Sequence, residues 1–104
     1  MEFQLVVQFK GGGEAVDLNF LVSLEYKLID RLGDSAVVDG HDSGSGEGNI
    51  FVITKSPIDT FRQVRAVLAD QDLLDTARVA YRDFESDQYT WLWPLHSVEP
   101  FEVA

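Results

Sequence analysis

An α+β domain is the fold class that this sequence predicts, and three observations predict it. Over residues 3–9 the apolar residues Phe3, Leu5, Val7 and Phe9 alternate with other residues, including Gln4 and Gln8, at a period of two. Two stretches, 18–32 and 58–68, repeat apolar residues at helical spacing and are flanked by helix start or stop residues. Strand-like runs recur at 35–40, 49–54, 76–84 and 89–93, so strands and helices interleave along the chain.

The first strand ends at Lys10, where the three glycines of 11–13 form a connector. Asp17 is placed to cap the first helix, whose apolar stripe is Leu18, Leu21, Val22, Leu24, Leu28, Ile29 and Leu32. Gly33 stops it. The second strand, 35–40, leads into a glycine-rich segment, and the third, 49–54, is apolar enough to be buried on much of both faces. Ser56 before Pro57 marks the next helix start, with Asp59 placed to reach back as a shortened capping box. Its stripe is Ile58, Phe61, Val64, Val67 and Leu68, with Arg62 and Arg65 outside. Residues 76–84 return to alternation, 85–88 form a turn, and 89–93 form a last strand ended by Pro94.

The order βαββαβ, with an extra C-terminal strand, is that of a ferredoxin-like split βαβ domain. It predicts an antiparallel sheet with two helices on one face, in a single domain spanning 1–104 with an irregular tail over 94–104.

Composition narrows the function classes. Eighteen acids against 8 bases give a net charge of −10, which repels phosphate backbones and argues against nucleic-acid binding. The same field keeps a protein in solution and steers in a basic protein partner. No apolar run approaches the ~18 residues of a membrane helix, and no basic leader precedes an apolar run, so the expectation is a cytoplasmic protein of bacterial style without membrane association. Cysteine is absent, which removes disulfides, thiol nucleophiles and thiolate metal sites.

The segment 39–49 is the densest in chemistry. A phosphate loop follows a strand and opens a helix; this one opens a strand, carries Glu47 and lacks the lysine of such loops. A metal reading would use Asp39, His41, Asp42 and Glu47 as oxygen and nitrogen ligands for a divalent ion, although the spacing is not that of an EF-hand. The alternative is a structured hairpin. In it Gly40, Gly44, Gly46 and Gly48 provide backbone freedom, Glu47 and Asn49 tie the loop to backbone amides, and His41 and Asp42 sit at the tip.

Arg78 and Arg82 fall on one face of the fourth strand, as a basic spot or as partners of neighbouring acids. Tyr89, Trp91 and Trp93 alternate on the last strand and are expected on one face, either covering the sheet or anchoring a partner. His96 has no nucleophile elbow beside it, and no cofactor is implied.

Two ferredoxin-like families are excluded by their own signatures. The third strand lacks the basic residue and paired aromatics of an RNA-recognition motif, and no arginine follows the first strand as in an acylphosphatase. The pattern Asp39, Gly40, then Gly44, Gly46, Glu47 and Asn49, a proline-started helix, and Tyr89 with Trp93 and Pro94, resembles a group of small bacterial proteins without assigned activity. That resemblance spans 39–94 and implies the fold. The functional expectation is a non-enzymatic acidic module that binds a protein partner or a second copy of itself, for instance an immunity-type inhibitor of a basic toxin. The alternative is a small enzyme or a metal or small-ligand binder using 39–49.

Overall fold

The computed structural model describes residues 1–11, 16–95 and 97–103. It is an α+β structure of two helices and a five-stranded antiparallel sheet. The elements are β1 (Phe3–Lys10), α1 (Leu18–Leu32), a 3-10 turn (Gly33–Ser35), β2 (Val37–Gly44), β3 (Glu47–Thr54), α2 (Pro57–Asp70), β4 (Ala77–Asp83) and β5 (Thr90–Trp93). The strands lie in the order β2-β3-β1-β4-β5, which puts β3 between β2 and β1 and leaves β2 and β5 at the edges. No helix among the described residues is long and apolar enough to cross a membrane. The triple glycine of 11–13 and His96 fall wholly or partly outside the described residues.

Alternation in β1 divides the molecule. Leu5, Val7 and Phe9 point to the side where both helices pack, meeting Leu21, Leu24, Leu28 and Leu32 of α1 and Val64, Val67 and Leu68 of α2. Ile50, Val52, Ala77, Val79 and Leu92 complete that core. On the opposite face a smaller cluster joins Val6 and Ala80 to Phe101, with Phe51, Tyr89, Trp91 and Val103 packed against it. The expected irregular tail has no helix or strand over 97–103, yet it covers this second face.

The helix ends follow their signals in part. Asp17 caps α1, its carboxylate accepting from the Asn19 amide, and Gly33 closes the helix at φ 53°, its N–H donating to the Ile29 carbonyl. Pro57 opens α2, but the Ser56 side chain makes no capping bond. Instead the Ser56 amide donates to Thr54 Oγ1, which also shares a buried 2.7 Å hydroxyl contact with Thr60. Asp59 does not reach back either; it faces Arg62 at 3.3 Å one turn on. Thr60 therefore takes a buried place in the α2 stripe, while Ile58, expected there, is exposed.

The glycine-rich segment is mostly strand. Only Ser45 and Gly46 form the turn, both at positive φ (54° and 75°), the combination a two-residue hairpin needs to match the twist of its strands. The expected tip at His41 and Asp42 is corrected accordingly: both lie within β2, opposite Ile50 and Asn49. Gly40, at φ 140°, follows a bulge that leaves Asp39 out of the pairing between β2 and β3.

Candidate functional site

Strand register assembles a polar line across the helix-free face. Lys10 lies opposite Glu47, Gln8 opposite Asn49, and Asn49 opposite Asp42, on the adjacent strands β1, β3 and β2. Glu47 is 3 % exposed, and its carboxylate accepts from Lys10 Nζ at 3.0 Å, Asn49 Nδ2 at 2.9 Å and Gln8 Nε2 at 3.2 Å. Burial of a carboxylate is costly unless it is paired and hydrogen-bonded, and this one is both. Asn49 Nδ2 also donates to Asp42 Oδ1 at 2.9 Å, and Asn49 Oδ1 accepts from Gln8 at 3.0 Å. Gln8, 1 % exposed, donates further to the Glu102 carbonyl at 2.8 Å and so ties the line to the tail.

Beside this line stands an aromatic group. The Phe101 ring lies 5.0 Å, centroid to centroid, from both Tyr89 and Trp91. Trp91 Nε1 donates to the Glu99 carbonyl at 2.7 Å. Arg78 reaches the Glu99 carboxylate at 3.7 Å. Arg82 donates to Gln4 and to the carbonyls of Asp83 and Ser86, and its guanidinium lies over the Phe84 and Tyr89 rings. Both arginines thus share the face that alternation assigns them, engaged with neighbouring groups.

Several expected site residues do not come together. His41 points to the helix side, where its Nδ1 meets Glu25 Oε1 of α1 at 2.5 Å. Asp42 and Glu47 belong to the opposite face, and Asp39 sits exposed at the bulge. Odd and even residues of β2 point apart, so Asp39, His41, Asp42 and Glu47 do not converge. Among the described residues no group of three or more His, Cys, Asp or Glu is placed to hold a metal ion. Glu47 and Asn49 join β3 to its neighbours through side chains, with Gln8 and Lys10 on β1 and Asp42 on β2 as partners.

The aromatic alternation also breaks. A register shift pairs Val79 with Trp93 but Ala80 with Trp91. Trp91 therefore joins the tail cluster, while Trp93 packs on the helix-side core, donates to the Leu74 carbonyl at 2.8 Å and carries the Arg65 guanidinium 5.3 Å from its ring centroid. Tyr89, Trp91 and Trp93 do not form one exposed stripe.

A different surface is open. Glu25 reaches β2 through His41, so the α1 flank that bears it faces the β2 edge. At helical spacing the same flank carries Leu18, Val22, Ile29 and, further round, Tyr26. Leu18, Tyr26 and Ile29 are 53, 69 and 50 % exposed, and Val37 at the start of β2 is 60 % exposed. Residues 32–54 contain no Lys or Arg, whereas Asp34, Asp39 and Asp42 are exposed along this stretch.

Sequence reading missed Gln8, Phe101 and the exposed α1 flank. Gln8 reads as a solvent-facing residue of an alternating strand, yet it is buried beside Glu47, Asn49 and the tail carbonyl of Glu102. Phe101 stands between a proline and an acid with no periodic neighbour to flag it. No protein-family model, curated protein or solved structure matches the chain.

Proposed function

We propose that this chain is a non-enzymatic acidic interaction module that binds a basic protein partner along the β2 edge and the adjoining flank of α1. A neutraliser of a basic toxin is one concrete form of such a module. The observation that carries the reading is the coincidence of three properties on one surface. Among the described residues it offers an edge strand with no further strand beside it, exposed apolar side chains on the adjoining helix, and acids without a cation in the strand. An edge strand offers unpaired backbone N–H and C=O groups to an extended segment, which gives affinity, while flanking side chains give selectivity. A second copy of the chain would bring Asp39 and Asp42 against their own kind, so charge favours a basic partner over a homodimer here.

The proposed architecture is the ferredoxin-like split βαβ with β5 appended. It is supported by the element order and by the position of β3 between β1 and β2. The resemblance of the Asp39 to Asn49 pattern to small bacterial proteins belongs to the same proposal and adds fold, not activity.

Partner capture from host lysate with wild type and with the double variant Asp34→Lys/Asp39→Lys tests the functional reading. Expected is a basic protein retained by wild type at low salt and lost both at high salt and with the variant. Equal recovery by the two proteins, or no partner in either, would overturn it.

A further inference from the structure

Segment 97–103 crosses the helix-free face without joining the sheet. Among the described residues none of its backbone groups bonds to a strand backbone. Side chains hold it instead, at fixed positions along the segment. Trp91 Nε1 reads the carbonyl of residue 99 at 2.7 Å, and buried Gln8 Nε2 reads that of residue 102 at 2.8 Å. Arg78 faces the carboxylate of Glu99 at 3.7 Å. Tyr89 and Trp91 clasp the Phe101 ring, and Val103 packs into the same cluster as Val6 and Phe51. Between these points Val98, Pro100 and Glu102 are exposed. Two donors that read peptide carbonyls, an aromatic clasp and a cation are the parts of a peptide-binding face.

We propose that this face is a recognition seat for a peptide segment of a second protein, and that segment 97–103 is its displaceable internal occupant. The chemistry of the occupant defines the ligand class. It is an acidic residue two positions before an aromatic one, with an aliphatic residue two positions after it. Arg78 selects the acid, the pair Tyr89 and Trp91 selects the ring, and Trp91 and Gln8 hold two carbonyls three positions apart. The seat lies across the sheet from α1 and uses none of the residues assigned to the basic partner, so the two readings stand or fall separately.

A tethered occupant competes at an effective concentration on the order of millimolar, and weakening it should therefore unmask the seat. The test uses the full chain with Phe101→Ala and a labelled peptide of sequence Ser-Val-Glu-Pro-Phe-Glu-Val, followed by fluorescence anisotropy and by the Trp91 indole N–H resonance. Expected is binding at least about tenfold tighter to Phe101→Ala than to wild type, because the aromatic anchor dominates such contacts. The indole resonance should return toward its wild-type position on saturation. The same peptide with its own phenylalanine changed to alanine should not bind, and adding Arg78→Ala to the variant should weaken binding.

A folded Phe101→Ala chain that ignores the peptide at millimolar concentration overturns the proposal. Unfolding of that variant overturns it too, because a displaceable occupant cannot be what holds the fold together. A dimeric wild-type protein in light scattering, with tails exchanged between copies, would likewise refute the internal arrangement.

Discussion

Gly48→Ala tests how closely the hairpin and α1 approach each other. A Cβ at position 48 would stand 2.8 Å from Val16 Cγ1, 2.9 Å from Val16 Cβ and 3.0 Å from Leu21 Cδ1. The Val16 side chain cannot simply swing away, since its Cβ moves only with the backbone. That backbone is held where the Ser43 hydroxyl donates to the Val16 carbonyl at 2.8 Å. Overpacking of this kind costs about 1–3 kcal/mol, partly offset by the roughly 0.5–1 kcal/mol that alanine gains over glycine in a strand. The difference spans about 0–2.5 kcal/mol, and because the close contact includes a Cβ fixed to the backbone a net loss of about 1–2 kcal/mol is expected. Unfolding entropy of about 0.2 kcal/mol/K for a chain of this size converts that into a Tm lower by roughly 5–10 °C. The contact geometry also predicts a graded rescue in double-mutant cycles by thermal and urea unfolding. Val16→Gly removes both clashing atoms and should recover about 1 kcal/mol of coupling, whereas Val16→Ala leaves the Cβ and should recover less. A Gly48→Ala chain within about 0.5 kcal/mol of wild type, or strict additivity with Val16→Gly, would show that position 48 needs no glycine for packing.

Two further outcomes follow from the polar line and the dispersed acids. Gln8→Leu strips the donor from three acceptors at once: Glu47, Asn49 Oδ1 and the Glu102 carbonyl. It should cost about 2–4 kcal/mol in urea unfolding, and a loss below about 1 kcal/mol would mean that the network contributes little. Calorimetric titration with zinc, manganese and calcium should give no heat that depends on His41, because its ring meets Glu25 on the side of the sheet away from Glu47. A His41→Ala chain that loses a metal-binding isotherm seen in wild type would contradict that placement.

Local signals made much of the fold legible. Period-two alternation marked β1, Asp17 and Gly33 bounded α1, and Pro57 opened α2, because each is a short-range rule that the residue itself enforces. The hairpin was misjudged for a physical reason. Glycines at 40, 44, 46 and 48 read as one long loop, yet only position 46 serves the turn, position 40 follows a bulge, and position 48 makes room for Val16. The site was less legible still. Which face Trp93 occupies depends on a register shift between β4 and β5, and one partner of buried Gln8 lies in a tail ninety-four residues away in sequence. No periodicity encodes either.

The β2 edge brings the charge and the topology into one argument. A long edge strand invites pairing with copies of itself, and natural sheets blunt that hazard with bulges and edge charges. Here both devices fall on one residue. Asp39 is the bulged residue, and Asp42 follows on the same strand, with its carboxylate held by Asn49. In a chain of net charge −10, carboxylates on an edge strand add like-charge repulsion between copies. Lysine would guard the edge equally well against self-association, but it would also repel a basic partner. In the proposed reading, the acids leave the backbone of β2 to one charge class of extended segment, and the exposed apolar residues of α1 supply the area beside it. Among the described residues the carboxylates and the imidazole of the glycine-rich segment are spread over both faces of an edge strand and its bulge. Under the proposed reading, that bulge and those carboxylates disfavour pairing with a second copy while leaving a basic segment free to pair.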